Sequence, residues 1–238
     1  MESAAASSEA VPDAVPDRGA GGLTQTLEKL VRDAEADLRA GRQFEIHPGS
    51  IGAVARELPG AQVPPLTLKR AGHRLWQACS DAAAAAPPLL QGVAAAGTRE
   101  FACELIQTGM ARSGGWPASD QFDLILQWAV TGKAWLDLQE YNAAVRCLGR
   151  SSAALDMYAK EGHSRKAPEA ELERLHEATL QTQLWMAKAL VKAGNHDQAF
   201  LALSKAVSLQ NSSPSLSAVS GGLLLRTCRE QASLHREC

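Results

Sequence analysis

Gly132-Lys133-Ala134-Trp135-Leu136-Asp137-Leu138-Gln139-Glu140-Tyr141-Asn142-Ala143-Ala144-Val145-Arg146-Cys147-Leu148 decides the fold, because the chain says nearly the same thing again from Ala187. The second copy reads Ala187-Lys188-Ala189-Leu190-Val191-Lys192-Ala193-Gly194-Asn195-His196-Asp197-Gln198-Ala199-Phe200-Leu201-Ala202-Leu203. Small meets small at Gly132 and Ala187, and Lys133 meets Lys188. Trp135 meets Leu190, and Ala144 meets Ala199. A small residue, a bulky one three later, a turn, then Ala about twelve after the first is tetratricopeptide spacing. Helix–turn–helix units repeated in register stack into a solenoid, because one unit cannot bury its apolar face alone.

Working outward, the first copy occupies residues 119–159 and the second 168–210. The interval between them exceeds the ~34 residues of a standard repeat. The surplus falls in residues 156–172, a longer helix end followed by a polar loop. Small residues permit close approach where two helices cross. Gly132 and Ala144 serve the first pair, Ala187 and Ala199 the second. Trp135, Leu148, Leu190 and Leu203 are expected to fill the space between pairs. In the last of these helices Ala199, Phe200, Leu203, Ala206 and Val207 are expected to face inward.

Upstream, apolar residues at helical spacing predict helices over about 24–40, 67–86 and 98–111. A short helix is expected over 50–58. Beyond Asn211-Ser212-Ser213-Pro214 a last helix is expected over about Leu216–Glu237. Residues 1–22 are Ala, Ser, Pro, Gly and acids with almost nothing to bury, and are expected to be a disordered tail. The helical-repeat domain then covers 23–238. No alternating apolar pattern of useful length calls for a sheet. The predicted class is all-α: a tetratricopeptide-like α-solenoid of antiparallel helix pairs.

Composition excludes several functions. In 238 residues, 45% are hydrophobic and the net charge is -2. That suffices for a core and offers no bulk attraction to nucleic acid or an anionic membrane. No apolar run approaches the ~18 residues of a membrane span, and the acidic N-terminus suits neither a secretory signal nor a transit peptide. Five cysteines with no CxxC pair argue against a disulfide framework or a zinc site and for a reducing compartment. Cys79, Cys103 and Cys147 fall on apolar helix faces as small core residues. None of the six histidines has a second ligand at metal spacing, and no phosphate-binding or nucleophile-elbow motif occurs. No catalytic, cofactor-binding or metal residue is assigned, no cofactor or small-molecule substrate is expected, and the chain is read as a non-enzyme.

Leu75-Trp76-Gln77-Ala78-Cys79, then Arg99-Glu100-Phe101-Ala102-Cys103-Glu104-Leu105, then Thr131-Gly132-Lys133-Ala134-Trp135-Leu136-Asp137-Leu138 with Ala144 and Cys147-Leu148 follow in order. Over roughly residues 67–209 that succession resembles the N-terminal part of the meiotic tetratricopeptide scaffolds. These are the sporulation-twenty-two or zip-four family, with a testis-expressed animal relative. The resemblance implies a nuclear protein of meiotic chromosomes that promotes crossover formation and synapsis by binding other proteins. Members of that family are several-fold longer, and the chain is expected to be part of a longer repeat protein.

The tetratricopeptide likeness also implies a groove lined by the first helix of each pair. Lys133 and Lys188 hold equivalent positions there and are the candidate contacts for an acidic partner peptide. Chaperone-clamping adaptors typically carry Asn at this position, so the lysines weigh against that subtype. The rival reading is a general cytoplasmic adaptor built on the same repeats.

Overall fold

The computed structural model describes residues 20–40, 63–85, 92–114, 117–160 and 168–212. Among them every regular element is an α-helix. In chain order these are α1 (Ala20–Arg39), α2 (Pro65–Ala85), α3 (Val93–Arg112), α4 (Ala118–Asp137), α5 (Tyr141–Lys160), α6 (Glu169–Lys192) and α7 (His196–Ser212). The short helix expected over 50–58, the last one over 216–237, and residues 1–19 of the expected tail lie outside the described residues.

Two boundaries differ from the sequence reading. α1 begins at Ala20, one turn before its first buried residue, Leu23, and takes in Gly21 and Gly22. Thr26 Oγ1 donates to the Gly22 carbonyl at 2.8 Å. α3 begins at Val93 and runs through Gly97. Three alanines ahead of that glycine outweigh its ~1 kcal/mol penalty, and Thr98 Oγ1 closes the turn on the Ala94 carbonyl at 2.8 Å.

Helices α2–α3, α4–α5 and α6–α7 form the pairs. Their antiparallel sense follows from which residues meet. A Cβ on Gly72 would lie 2.5 Å from Ile106 Cγ1, and one on Gly109 would lie 2.6 Å from the Pro65 carbonyl oxygen. In the next pair a Cβ on Gly132 would lie 2.5 Å from Leu148 Cγ, Ser151 Oγ donates to the Ile125 carbonyl at 3.0 Å, and Phe122 meets Tyr158. As one residue number rises the other falls. Gly132 therefore receives Leu148, one turn beyond Ala144. Leu148 fills the space inside its own pair and also joins the cluster shared with the neighbouring pairs.

The turns repeat as well. After α4, Gln139 takes φ 64° and the amide of Glu140 donates to the Trp135 carbonyl at 3.0 Å. After α6, Gly194 takes φ 79° and the amide of Asn195 donates to the Leu190 carbonyl at 2.9 Å. Both are Schellman-type ends with a left-handed residue at the same register, satisfying carbonyls that the helix leaves open.

Successive pairs stack, so the core is a row of clusters. Leu27 and Val31 of α1 join Leu68, Leu75, Phe101 and Leu105. Cys103, Ile106, Trp128, Trp135, Leu148 and Ala189 form the central cluster. Leu184, Ala187, Leu190, Ala199, Leu203 and Ala206 form the next, with Val145 of α5 packed against it. Phe122, Ile125, Leu155, Tyr158 and Leu175 make a fourth. The described chain is an all-α solenoid of stacked antiparallel pairs. On α7 the inward stripe is Ala199, Ala202, Leu203 and Ala206. Phe200 and Val207, expected inward, are exposed, because each stands about 100° round the helix from an inward alanine.

Candidate functional site

Lys133 and Lys188 come from α4 and α6, the first helices of consecutive pairs. These helices are neighbours in the stack: Ala189, beside Lys188, is fully buried in the cluster that holds Trp135 and Leu136. Trp185 and Met186 also pack against that cluster from α6. Ala189 and Trp185 thus anchor the turn that carries Lys188, and Trp135 and Leu136 anchor the turn that carries Lys133.

The two lysines differ in freedom. Lys133 is exposed, and its Nζ lies 2.5 Å from Asp137 Oδ2, one turn along the same helix. Such an i,i+4 pair contributes ~0.3–0.5 kcal/mol, so a partner carboxylate can exchange with Asp137 at little cost. Lys188 is half-buried. One turn before Lys133, Val130 is exposed. One turn further back, the Gln127 amide oxygen is closed off from solvent without a hydrogen-bond donor. Val130, Lys133 and Asp137 make one exposed strip of α4, an apolar contact beside a cation.

Sequence reasoning passed over a second polar feature, on the second helices. Glu100 of α3 receives the Trp135 indole N–H at 3.0 Å and a two-pronged contact from Arg146 of α5, at 2.9 and 3.1 Å. One turn on, Glu104 pairs with Arg150 at 2.9 Å, and the Arg150 guanidinium sits 4.7 Å from the Trp128 ring centre. The Glu100 hydrogen bond holds the Arg146 pKa above its ordinary value. Asp156 and Lys205 repeat the link between α5 and α7 at 2.8 Å. The signal was in the sequence: acids four apart at 100 and 104, bases four apart at 146 and 150. The ladder ties pair to pair and is spent within the fold.

The cysteines behave as core residues. Cys79, Cys103 and Cys147 are buried free thiols. Burial pushes Cys79 up to about 11 and Cys103 up to about 12, and raises Cys147 as well. Thiols held this far above neutrality are poor nucleophiles. Among the described residues no group of His, Cys, Asp and Glu could hold a metal ion, and no helix is long and apolar enough to cross a membrane.

No protein-family model and no curated protein matches the chain. Among solved structures it is similar to the crystal structure of a de novo designed helical repeat protein, with 16% identity and a TM-score of 0.38. That similarity covers 92% of this chain and 96% of the designed one.

Proposed function

We propose that this chain is a non-enzymatic protein-interaction scaffold of meiotic chromosomes, promoting crossover formation and synapsis in the nucleus. The meiotic part is supported by the ordered segments Leu75–Cys79, Arg99–Leu105 and Thr131–Leu138. The binding part is supported by one observation above all. Lys133 stands exposed on a first helix, held only by a weak pair within that helix, beside the exposed Val130. A rigid stack presents such a strip at little ordering cost, and a partner segment docks by a side-chain anchor and opposite charge.

In this reading an acidic peptide with an aliphatic residue one turn from its carboxylate docks across α4 and α6. Its carboxylates meet Lys133 and Lys188, and its aliphatic side chain covers Val130. Titration of the purified chain with a fluorescent acidic peptide tests the surface. Lys133→Glu with Lys188→Glu lowers the affinity about tenfold or more, the scale of two lost charge contacts. Asp137→Asn removes the internal competitor and raises it, and circular dichroism stays unchanged for both. Equal affinity for wild type and the double reversal removes the surface from consideration. The setting is tested separately, by staining meiotic cells for chromosome-associated foci. Uniform cytosolic staining in dividing cells would favour the general adaptor instead.

A further inference from the structure

The two lysine-bearing helices share a charge pattern that their packing does not use. α4 and α6 run parallel and side by side. Near their N-terminal ends the Arg174 guanidinium lies 5.5 Å from the Phe122 ring centre; near their C-terminal ends Ala189 joins Trp135 and Leu136. In the N-terminal halves, residues 118–127 and 169–180, the carboxylates of Asp120, Asp123, Glu169, Glu171, Glu173 and Glu177 stand against a single guanidinium, that of Arg174, and no lysine. In the C-terminal halves the sign reverses, and Lys133, Lys188 and Lys192 stand against Asp137 alone.

Complementing the helix dipole accounts only for the ends, since that effect fades within the first and last turns. Asp123, Glu173, Glu177, Lys133 and Lys188 all lie further in. α2 has the opposite arrangement, with Lys69, Arg70 and Arg74 in its first half and Asp81 in its second. The fold takes up two of the acids: Asp120 pairs with Lys69 of α2, and Glu171 accepts from the Tyr158 hydroxyl. Asp123, Glu173 and Glu177 are exposed. Neither Lys188 nor Lys192 pairs with a carboxylate of the described residues.

An apolar rung separates the two poles. Counted from Gly132 and Ala187, Val130 and Trp185 hold the same position, just as Lys133 and Lys188 do. Equivalent positions on successive first helices lie on the same side of a repeat stack. Val130 is 44% exposed, and Trp185 is half-buried, packed against the central cluster. Glu173, Glu177, Trp185, Lys188 and Lys192 recur at helical spacing along α6, as Asp123, Val130 and Lys133 do along α4.

We propose that this face binds an extended partner segment of block charge, acidic then apolar then basic, lying along α4 and α6. The inference rests on the acidic-peptide reading above and adds a second pole to it. The carboxylates of the segment meet Lys133, Lys188 and Lys192. An apolar side chain covers Val130 and Trp185, and basic side chains meet Asp123, Glu173 and Glu177. Asp123 and Lys133 stand about 15 Å apart along the helix, a distance that about five extended residues cross. A purely acidic segment meets like charge at the N-terminal halves, and one of alternating charge matches neither pole.

Fluorescence anisotropy with three labelled peptides tests this. They are the block peptide Glu-Glu-Ser-Leu-Ser-Lys-Lys, its alternating isomer Glu-Lys-Ser-Leu-Ser-Glu-Lys, and the all-acidic Glu-Glu-Ser-Leu-Ser-Glu-Glu. The block peptide binds the wild type about tenfold more tightly than either of the others. Asp123→Lys with Glu177→Lys, both at exposed positions, removes that preference and makes the all-acidic peptide the tightest. Trp185→Ala weakens the block and all-acidic peptides alike, and Trp185→Phe keeps their binding. Should Trp185→Ala loosen the stack, the Asp123 and Glu177 reversal decides by itself. Equal affinity for the block and alternating peptides overturns the proposal, as does block binding indifferent to that reversal. A wild type that prefers the all-acidic peptide, and loses it on Lys133→Glu with Lys188→Glu, overturns the second pole and leaves the acidic-peptide reading standing. Binding of no peptide, or binding indifferent to the lysine reversals, overturns both.

Discussion

Gly132 has no room for a side chain. An added Cβ would lie 2.5 Å from Leu148 Cγ and 3.1 Å from the Leu148 backbone nitrogen. Gly149, on the facing helix, has nothing within 4 Å of the same point. The two glycines therefore answer one substitution with opposite signs. Gly132→Ala overpacks the pair and costs ~1–3 kcal/mol. Gly149→Ala removes glycine's backbone entropy from a helix interior and stabilises by ~0.5–1 kcal/mol. Urea midpoints of both variants check this, and a stabilising Gly132→Ala would show that the pair is not in close contact there. The buried thiols give a second residue-scale prediction. Folding raises their pKa from 9.0, to about 11 for Cys79 and about 12 for Cys103. Their contribution is fully present below pH 9. It is lost as pH rises through the folded values, because the unfolded chain releases protons first. Each thiol adds ~1.4 kcal/mol per pH unit to that loss. Stability of the wild type should fall between pH 9 and 11, and Cys79→Ala should fall less steeply over the same range.

At the scale of the element, one carboxylate joins three helices. Glu100 accepts from the Trp135 indole on α4 and from Arg146 on α5. Its side chain is 13% exposed and that of Arg146 is 52%. Glu100→Ala strands a buried indole N–H and should cost ~1–3 kcal/mol. Arg146→Ala leaves that bond in place and gives up a pair reaching into solvent, worth ~0–1 kcal/mol. Equal losses in thermal melts would mean that the indole acceptor contributes nothing. Helical periodicity made the elements legible: the faces of α2, α3 and α4 follow directly from residues such as Leu68, Leu75, Phe101 and Ile125. It failed where one helix carries apolar residues on two faces. Phe200 looks as much like a core residue as Ala199, and only the partner helix decides between them. The Glu100–Arg146 ladder lies between pairs: the four-residue spacing of its acids and of its bases is in the sequence, but which faces which shows only once the stack is known. The equivalence of Lys133 and Lys188 was legible because it is a property of sequence; the Asp137 partner of Lys133 was equally readable, as an i,i+4 spacing.

At the scale of the molecule, each pair touches chiefly its neighbours, so stability is a sum of pair and junction contributions and need not be lost all at once. The junction between α5 and α6 carries a hydrogen bond between two buried side chains. Gln183, 1% exposed, donates to the Ser152 hydroxyl. Tyr158 donates to Glu171 at 2.7 Å, and Lys205 reaches back from α7 to Asp156. Hydrogen bonds of this kind fix register but add little net stability, whereas losing one partner leaves the other unsatisfied in a dry place. The junction upstream is filled by Cys103, Ile106 and Met110 of α3 packed among Leu124, Trp128 and Trp135 of α4, with the Glu100 ladder beside them. The stack is expected to come apart first between α5 and α6, where the buried Gln183–Ser152 pair stands inside the packing. Gln183→Ala leaves the Ser152 hydroxyl unpaired and a hole beside it, at a cost of ~1–3 kcal/mol. In a single cooperative unit that loss would speed hydrogen exchange equally in every helix. In a stack of neighbours it appears in α6 and α7, while α2 and α3, held by α1 on one side and the Glu100 ladder on the other, exchange at their wild-type rates. A uniform acceleration from α1 to α7 would show that the pairs fold as one body and that the α5–α6 junction is not the weak one.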